Sequence, residues 1–287
     1  RSGNYYIRHT MYDVFECDWV CATVYLPSLV REIARQTNLD ADYLIRKHTM
    51  FPFLTSFLKT AQAWTIYDAM VNEDGRKTIG GCGLMRSRIP INKYIKYCPS
   101  CFEEDYEQYG EFYWHCIHQL PGTTICKKHL LYLQNSEVEV QYKNRTAYLL
   151  PTKENCDLTK KVTVSEPDAH LHIKLITFVE QLYQNRYSHV KYHYFSDFYR
   201  KALKEKGLLY RSDAINWDEL FHLFRQTYSH QFLAQLHLQL DSDPSWVELF
   251  LRKQRISFHP YAHFVMLNLF EKDLAELFQI TYAKNLL

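Results

Sequence analysis

No stretch of the chain approaches eighteen consecutive apolar residues, so nothing in it reads as a bilayer-crossing helix or calls for a membrane partner. The first residues, RSGNYYIRH, have neither the apolar run nor the small-residue cleavage site of a secretion signal. Cysteine is sparse: eight in 287 residues cannot staple a disulfide-dense secreted scaffold. A reducing, cytoplasmic compartment with free thiols is the consistent expectation. The GGCG run at 80–83 lacks the GxxxxGK pattern whose lysine would meet a phosphate, so no nucleotide site is expected. Arg1 in place of methionine, and an end at Leu287 without a polar tail, suggest cuts in a longer protein.

Charge is equally uninformative in total. A formal +2 suits many proteins, so any affinity for nucleic acid has to come from local clusters. The length exceeds that of one ordinary compact domain, and 47% hydrophobic content can fill one sizeable core or several smaller ones.

What the chain does have is a pair of knuckles. Cys98 and Cys101, in YCPSC, precede Cys126 and His129, in CKKH, by an insert of 24 residues. Two donors three positions apart on a tight turn supply adjacent corners of a tetrahedron, and the insert lets the two turns face each other around one Zn²⁺. The set is complete, with no position left for water, so the expected ion is structural. Three thiolates, one imidazole and the ion sum to about one negative charge, which Lys127 and Lys128 stand ready to soften. His115, Cys116 and His118 are rival ligands, read instead as packing and supporting groups. Trp114 and Leu120 are expected to pack on the metal turns. A zinc hydrolase would need an open coordination position. Glu103, Glu104 and Asp105 are consecutive and point in different directions on a helix, so no catalytic carboxylate pair is expected.

The periodicity predicts a mainly α, multi-module protein with helix-turn-helix-like elements and a Cys3His zinc-finger module. A helical region covers 1–93, the zinc module 94–133, a β-rich or irregular connection 134–168, and a second helical region 169–287. Between 26 and 49 two short helices are expected, with Asn38 in the left-handed turn and Arg46, Lys47 and His48 facing outward. Asn216, with Glu219 three residues on, reads as a helix cap, and Ser229 opens HQFLAQLHLQL. Arg252, Lys253 and Arg255 form a compact positive cluster suited to phosphates. His259 and His263 have metal-compatible spacing if their helix starts by Pro260, without a further ligand set.

These phrases resemble the TniQ/TnsD family of bacterial transposon target-site selectors. KYCPSC, then EDYEQYGEFYWHCIHQLPGTTICKKH and LLYL, match the family's coupling of paired knuckles to GExYW and HQLPG segments. RKHTMFPF at 46–53 and LRKQRISFHPYAHFVMLNLF at 251–270 resemble its longer TnsD branch. RSGN resembles sequence following the family's first helix. The resemblance carries over Cys98, Cys101, Cys126 and His129 as zinc ligands. It also implies a non-enzymatic, nucleoid-associated adaptor that binds double-stranded attachment-site DNA and recruits the AAA+ regulator TnsC, with strand chemistry left to transposase subunits. In shorter relatives the same adaptor joins TnsC to an RNA-guided CRISPR effector complex. Arg46, Lys47, Arg252, Lys253 and Arg255 are the expected DNA contacts.

Overall fold

The expected helix pair forms because each boundary carries a residue that suits it. Asn38 takes the left-handed conformation (φ 54°) that ends α2 (Val30–Thr37), and the Asp40 side chain accepts from Tyr43 N to start α3 (Ala41–His48). The computed structural model describes residues 6–16, 25–72, 92–140, 149–164, 167, 169–184, 192–241, 245–252 and 257–278. Over these residues the protein is mainly helical. Before the pair lies α1 (Ile7–Phe15), and after it come α4 (Phe51–Thr55) and α5 (Thr60–Asn72). The GGCG run at 80–83 lies outside the described residues.

The middle of the chain is built differently. Strand β1 (Tyr94–Tyr97) leads into α6 (Pro99–Tyr109), a 3₁₀ turn at Ile117–Gln119, and the hairpin of β2 (Ile125–Cys126) and β3 (Leu131–Tyr132). A fourth strand, β4 (Gln134–Glu139), returns antiparallel to β1, pairing Tyr97 with Gln134 and Lys96 with Asn135. A register shift separates these pairs from Tyr94 and Glu139, bending the ribbon. The segment is therefore closed by a strand that begins just beyond residue 133.

Helices return with α7 (Ala169–Gln184), α8 (Tyr192–Glu205), α9 (Trp217–Thr227), α10 (His230–Gln235), α11 (Trp246–Leu251) and α12 (Pro260–Leu269). Asn216 accepts from Glu219 N and Ser229 from Phe232 N, so both expected starts hold. Helix α10 is shorter than its apolar pattern suggests. His237 turns left-handed (φ 52°), Leu238 N bonds back to Leu233 O, and the Leu238 carbonyl accepts from Trp246 Nε1, ending the helix in a buried turn.

One hydrophobic cluster joins the first and last of these regions. The Phe57 ring lies flat on His263 at 3.9 Å and also meets Phe178, Phe195 and Phe278, while Leu120 enters the same core from the middle segment. Burying each such aromatic contributes about 1.5–3 kcal/mol relative to exposure. The two histidines at i, i+4 belong to this packing. His259 caps α12 by accepting from Tyr261 N, and His263 Nδ1 shares a hydrogen bond with Tyr199 Oη at 3.0 Å. Burial holds His259 down to about 3 and His263 well below the ordinary imidazole value, so both are neutral packing groups. Among the described residues no helix is long and apolar enough to cross a membrane.

Candidate metal centre

Both knuckles sit where the local backbone fixes their side chains. Cys98 is the residue before α6, Pro99 supplies the favourable first position, and Cys101 lies in the first turn, where unpaired N–H groups favour thiolates. Cys126 ends β2 and His129 occupies the hairpin turn, which closes through Leu130 N to Cys126 O at 2.8 Å with Leu130 left-handed.

The four donor atoms lie within 4.8 Å of one another. His129 Nδ1 is 3.5, 3.4 and 3.6 Å from the sulfurs of Cys98, Cys101 and Cys126, and Cys101 Sγ is 3.6 Å from Cys126 Sγ. Tetrahedral bonds of about 2.3 Å to sulfur and about 2.0–2.1 Å to nitrogen require donor separations of about 3.6–3.8 Å. The residues therefore form a Cys3His cluster that could hold one metal ion. The thiols share protons unequally. Hydrogen bonds from Cys101 and Cys98 hold Cys126 well below the ordinary thiol value, and donating to that thiolate pushes Cys101 up. Closing such a set on an ion releases protons.

The surroundings hold the ligands in place. Glu104 Oε1 lies 3.0 Å from His129 Nε2, so a carboxylate on the far nitrogen leaves Nδ1 facing the cluster. Lys128 also turns to Glu104, and Lys127 pairs with Glu180 at 2.6 Å; both ammonium groups are thus engaged by carboxylates rather than by the sulfurs. His118 is only 7% exposed, its ring 4.8 Å from that of His115, and burial lowers its pKa. The other rivals point elsewhere, His115 Nε2 to Asp105 at 2.9 Å and Cys116 Sγ to the His48 carbonyl at 3.2 Å. Trp114 packs with Tyr97 and Phe102, the residues on either side of the first knuckle, whereas Leu120 lies in the main core rather than on the metal turns.

The middle segment is docked on the C-terminal helices by the strap just before Cys126. Thr123 Oγ1 is 3.0 Å from Tyr261 Oη, Thr124 Oγ1 is 3.3 Å from His172 Nδ1, and Gly122 (φ +84°) lies so close to Tyr261 that a Cβ there would stand 2.9 Å from its ring. Sequence reasoning missed this contact. Its one legible signal was the glycine after Pro121.

Of the expected DNA contacts, Arg46, Lys47 and Arg252 lie among the described residues. Arg46 is half-buried, its Nε bonded to Asp42 at 2.7 Å, and Lys47 Nζ donates to the Tyr183 carbonyl at 3.3 Å across a cleft of about 140 Å³ between α3 and α7. Arg252 is exposed at the end of α11. Lys253 and Arg255 lie outside the described residues.

Two family models match separate parts of the chain. A TniQ family model matches residues 4–133, which contain the Cys3His cluster, and a model described as Tn7-like transposition protein D, TnsD, matches residues 175–286. The chain is 26% identical over 263 residues to the Transposon Tn7 transposition protein TnsD of Escherichia coli, covering 86% of this chain. It spans about half the length, 49%, of that curated relative.

Proposed function

The chain belongs to the TniQ/TnsD family, and on that premise we propose that it selects a target site for transposition. In this reading it binds attachment-site duplex DNA and recruits an AAA+ regulator of the TnsC kind. One observation carries the proposal: a TnsD-type segment and a TniQ-type segment occur in one chain and share one hydrophobic core. The ion is Zn²⁺ and its role is structural, since three thiolates and an imidazole suit zinc and leave it no water to activate. Zinc braces the second knuckle, and through it the strap at 122–124 that seats the TniQ-type segment on α12. The α2–α3 pair, with its left-handed Asn38, and the α9–α10 pair act as helix-turn-helix-like elements. Arg252, Lys253 and Arg255 supply phosphate contacts, with Arg46 and Lys47 secondary. Strand cleavage and joining belong to transposase subunits.

Phosphate contact displaces counterions, so binding must weaken as salt rises, and site selection further requires base-edge contacts or sequence-dependent bending. The metal-replete chain is expected to prefer a duplex from the transposon's insertion junction over a scrambled one in fluorescence anisotropy. Raising salt from about 50 to about 200 mM should weaken binding roughly tenfold or more for a few phosphate contacts. Equal affinity for both duplexes at low salt would remove direct site selection.

A second reading is an adaptor that joins the regulator to an RNA-guided CRISPR effector complex without reading DNA itself. The inward pairing of Arg46 and Lys47 favours it, because those cations are already engaged within the chain.

A further inference from the structure

Helix α6 carries the first knuckle at one end and an aromatic, acidic surface along its outer side. Residues 98–114 contain five carboxylates and no lysine or arginine. On the inner side Phe102 stacks on Phe112 at 3.7 Å and clusters with Tyr97 and Cys156, which fixes the helix in orientation. Outward stand Tyr106, Tyr109 and Tyr113, 53%, 58% and 45% exposed. Their rings are held in place, Tyr109 edge-on to Tyr113 at 6.1 Å and Tyr106 at 5.0 Å from Phe112. Exposed Leu149 adjoins them, since its carbonyl accepts from Trp114 Nε1 at 2.8 Å.

The surface already attracts cations from its own chain. Lys153 Nζ lies 5.8 Å above the Tyr106 ring, and Lys161 and Lys128 close on Glu103 and Glu104. Farther along the helix the carboxylate of Glu107, next in sequence to Tyr106, is exposed. We propose that this face docks a lysine- or arginine-rich segment of a partner protein. Tyrosine rings fixed in advance bind at low entropic cost, a cation over an aromatic face is attracted to it, and neighbouring carboxylates add long-range attraction. The exposed Glu107 carboxylate repels phosphate, which favours a protein over a DNA partner on this face. The assignment rests on the exposed groups alone and holds whichever reading of DNA binding is correct.

The test uses the metal-replete full chain and two labelled probes, a nona-arginine peptide and a nona-glutamate peptide, followed by anisotropy. The arginine probe should bind and the glutamate probe should not. Tyr109→Ser with Tyr113→Ser, and separately Glu107→Lys, should each weaken arginine binding about tenfold. Metal content and circular dichroism should stay unchanged, because these side chains are exposed. Absence of arginine binding, or equal binding by the variants, would overturn the assignment. So would protection of Tyr109 and Tyr113 from nitration by duplex DNA, which would make the face a nucleic-acid surface.

Discussion

Cys126→Ser is expected to empty the metal centre, lowering bound zinc from about one equivalent to near none after dialysis against a chelator. A serine hydroxyl remains protonated at neutral pH and cannot replace the thiolate that lies within 3.6 Å of both Cys101 Sγ and His129 Nδ1. The effect should reach beyond the knuckle. Thr123 and Thr124, just upstream, hold Tyr261 and His172 in the C-terminal helices, so loss of the ion frees a strap that both halves use. Structural zinc contributes apparent binding free energies of about 10–16 kcal/mol in small zinc domains at pH 7, and much of that appears as folding stability. Cys156→Ser is the matched control, removing a buried thiol outside the ligand set. Elemental analysis and thermal unfolding should separate the two variants. Full metal content in Cys126→Ser would remove Cys126 from the ligand set.

Gly122→Val is expected to cost about 3 kcal/mol or more in urea unfolding of the metal-replete protein, from two additive causes. A β-branched residue resists φ +84°, and its Cβ would meet Tyr261 Cε2 at 2.9 Å and Leu236 Cδ2 at 3.3 Å, inside a packed junction with little room to yield. Gly110 separates these causes. It too has positive φ, +72°, but no atom lies within 4 Å of where its Cβ would be, so Gly110→Ala should cost only about 1 kcal/mol. Equal losses for the two variants would mean that the strap is not tightly seated on α12.

The parts legible in the sequence are those fixed by neighbours in the chain. CxxC and CxxH draw their geometry from local turns, and Asn38, Asp40, Asn216 and Ser229 announce helix ends by capping chemistry a few residues long. What escaped depends on distant partners. The pairing of Lys127 with Glu180 and the seating of Leu120 in the main core join residues dozens of positions apart, and no periodicity encodes them. Lys47 shows the same limit. Its position in the last turn of α3 was readable, but its partner, the Tyr183 carbonyl on α7, decides how much free positive charge it offers. His259 and His263 had the spacing of ligands and serve instead as a cap and a core ring, because the helices around them exclude water.

X-ray absorption at the zinc edge of the purified chain bears most directly on the metal centre. The spectrum should show one zinc per chain with three sulfurs at about 2.3 Å and one nitrogen at about 2.0–2.1 Å. A bound water in the coordination shell, or a folded protein that takes up no metal, would contradict a closed structural site.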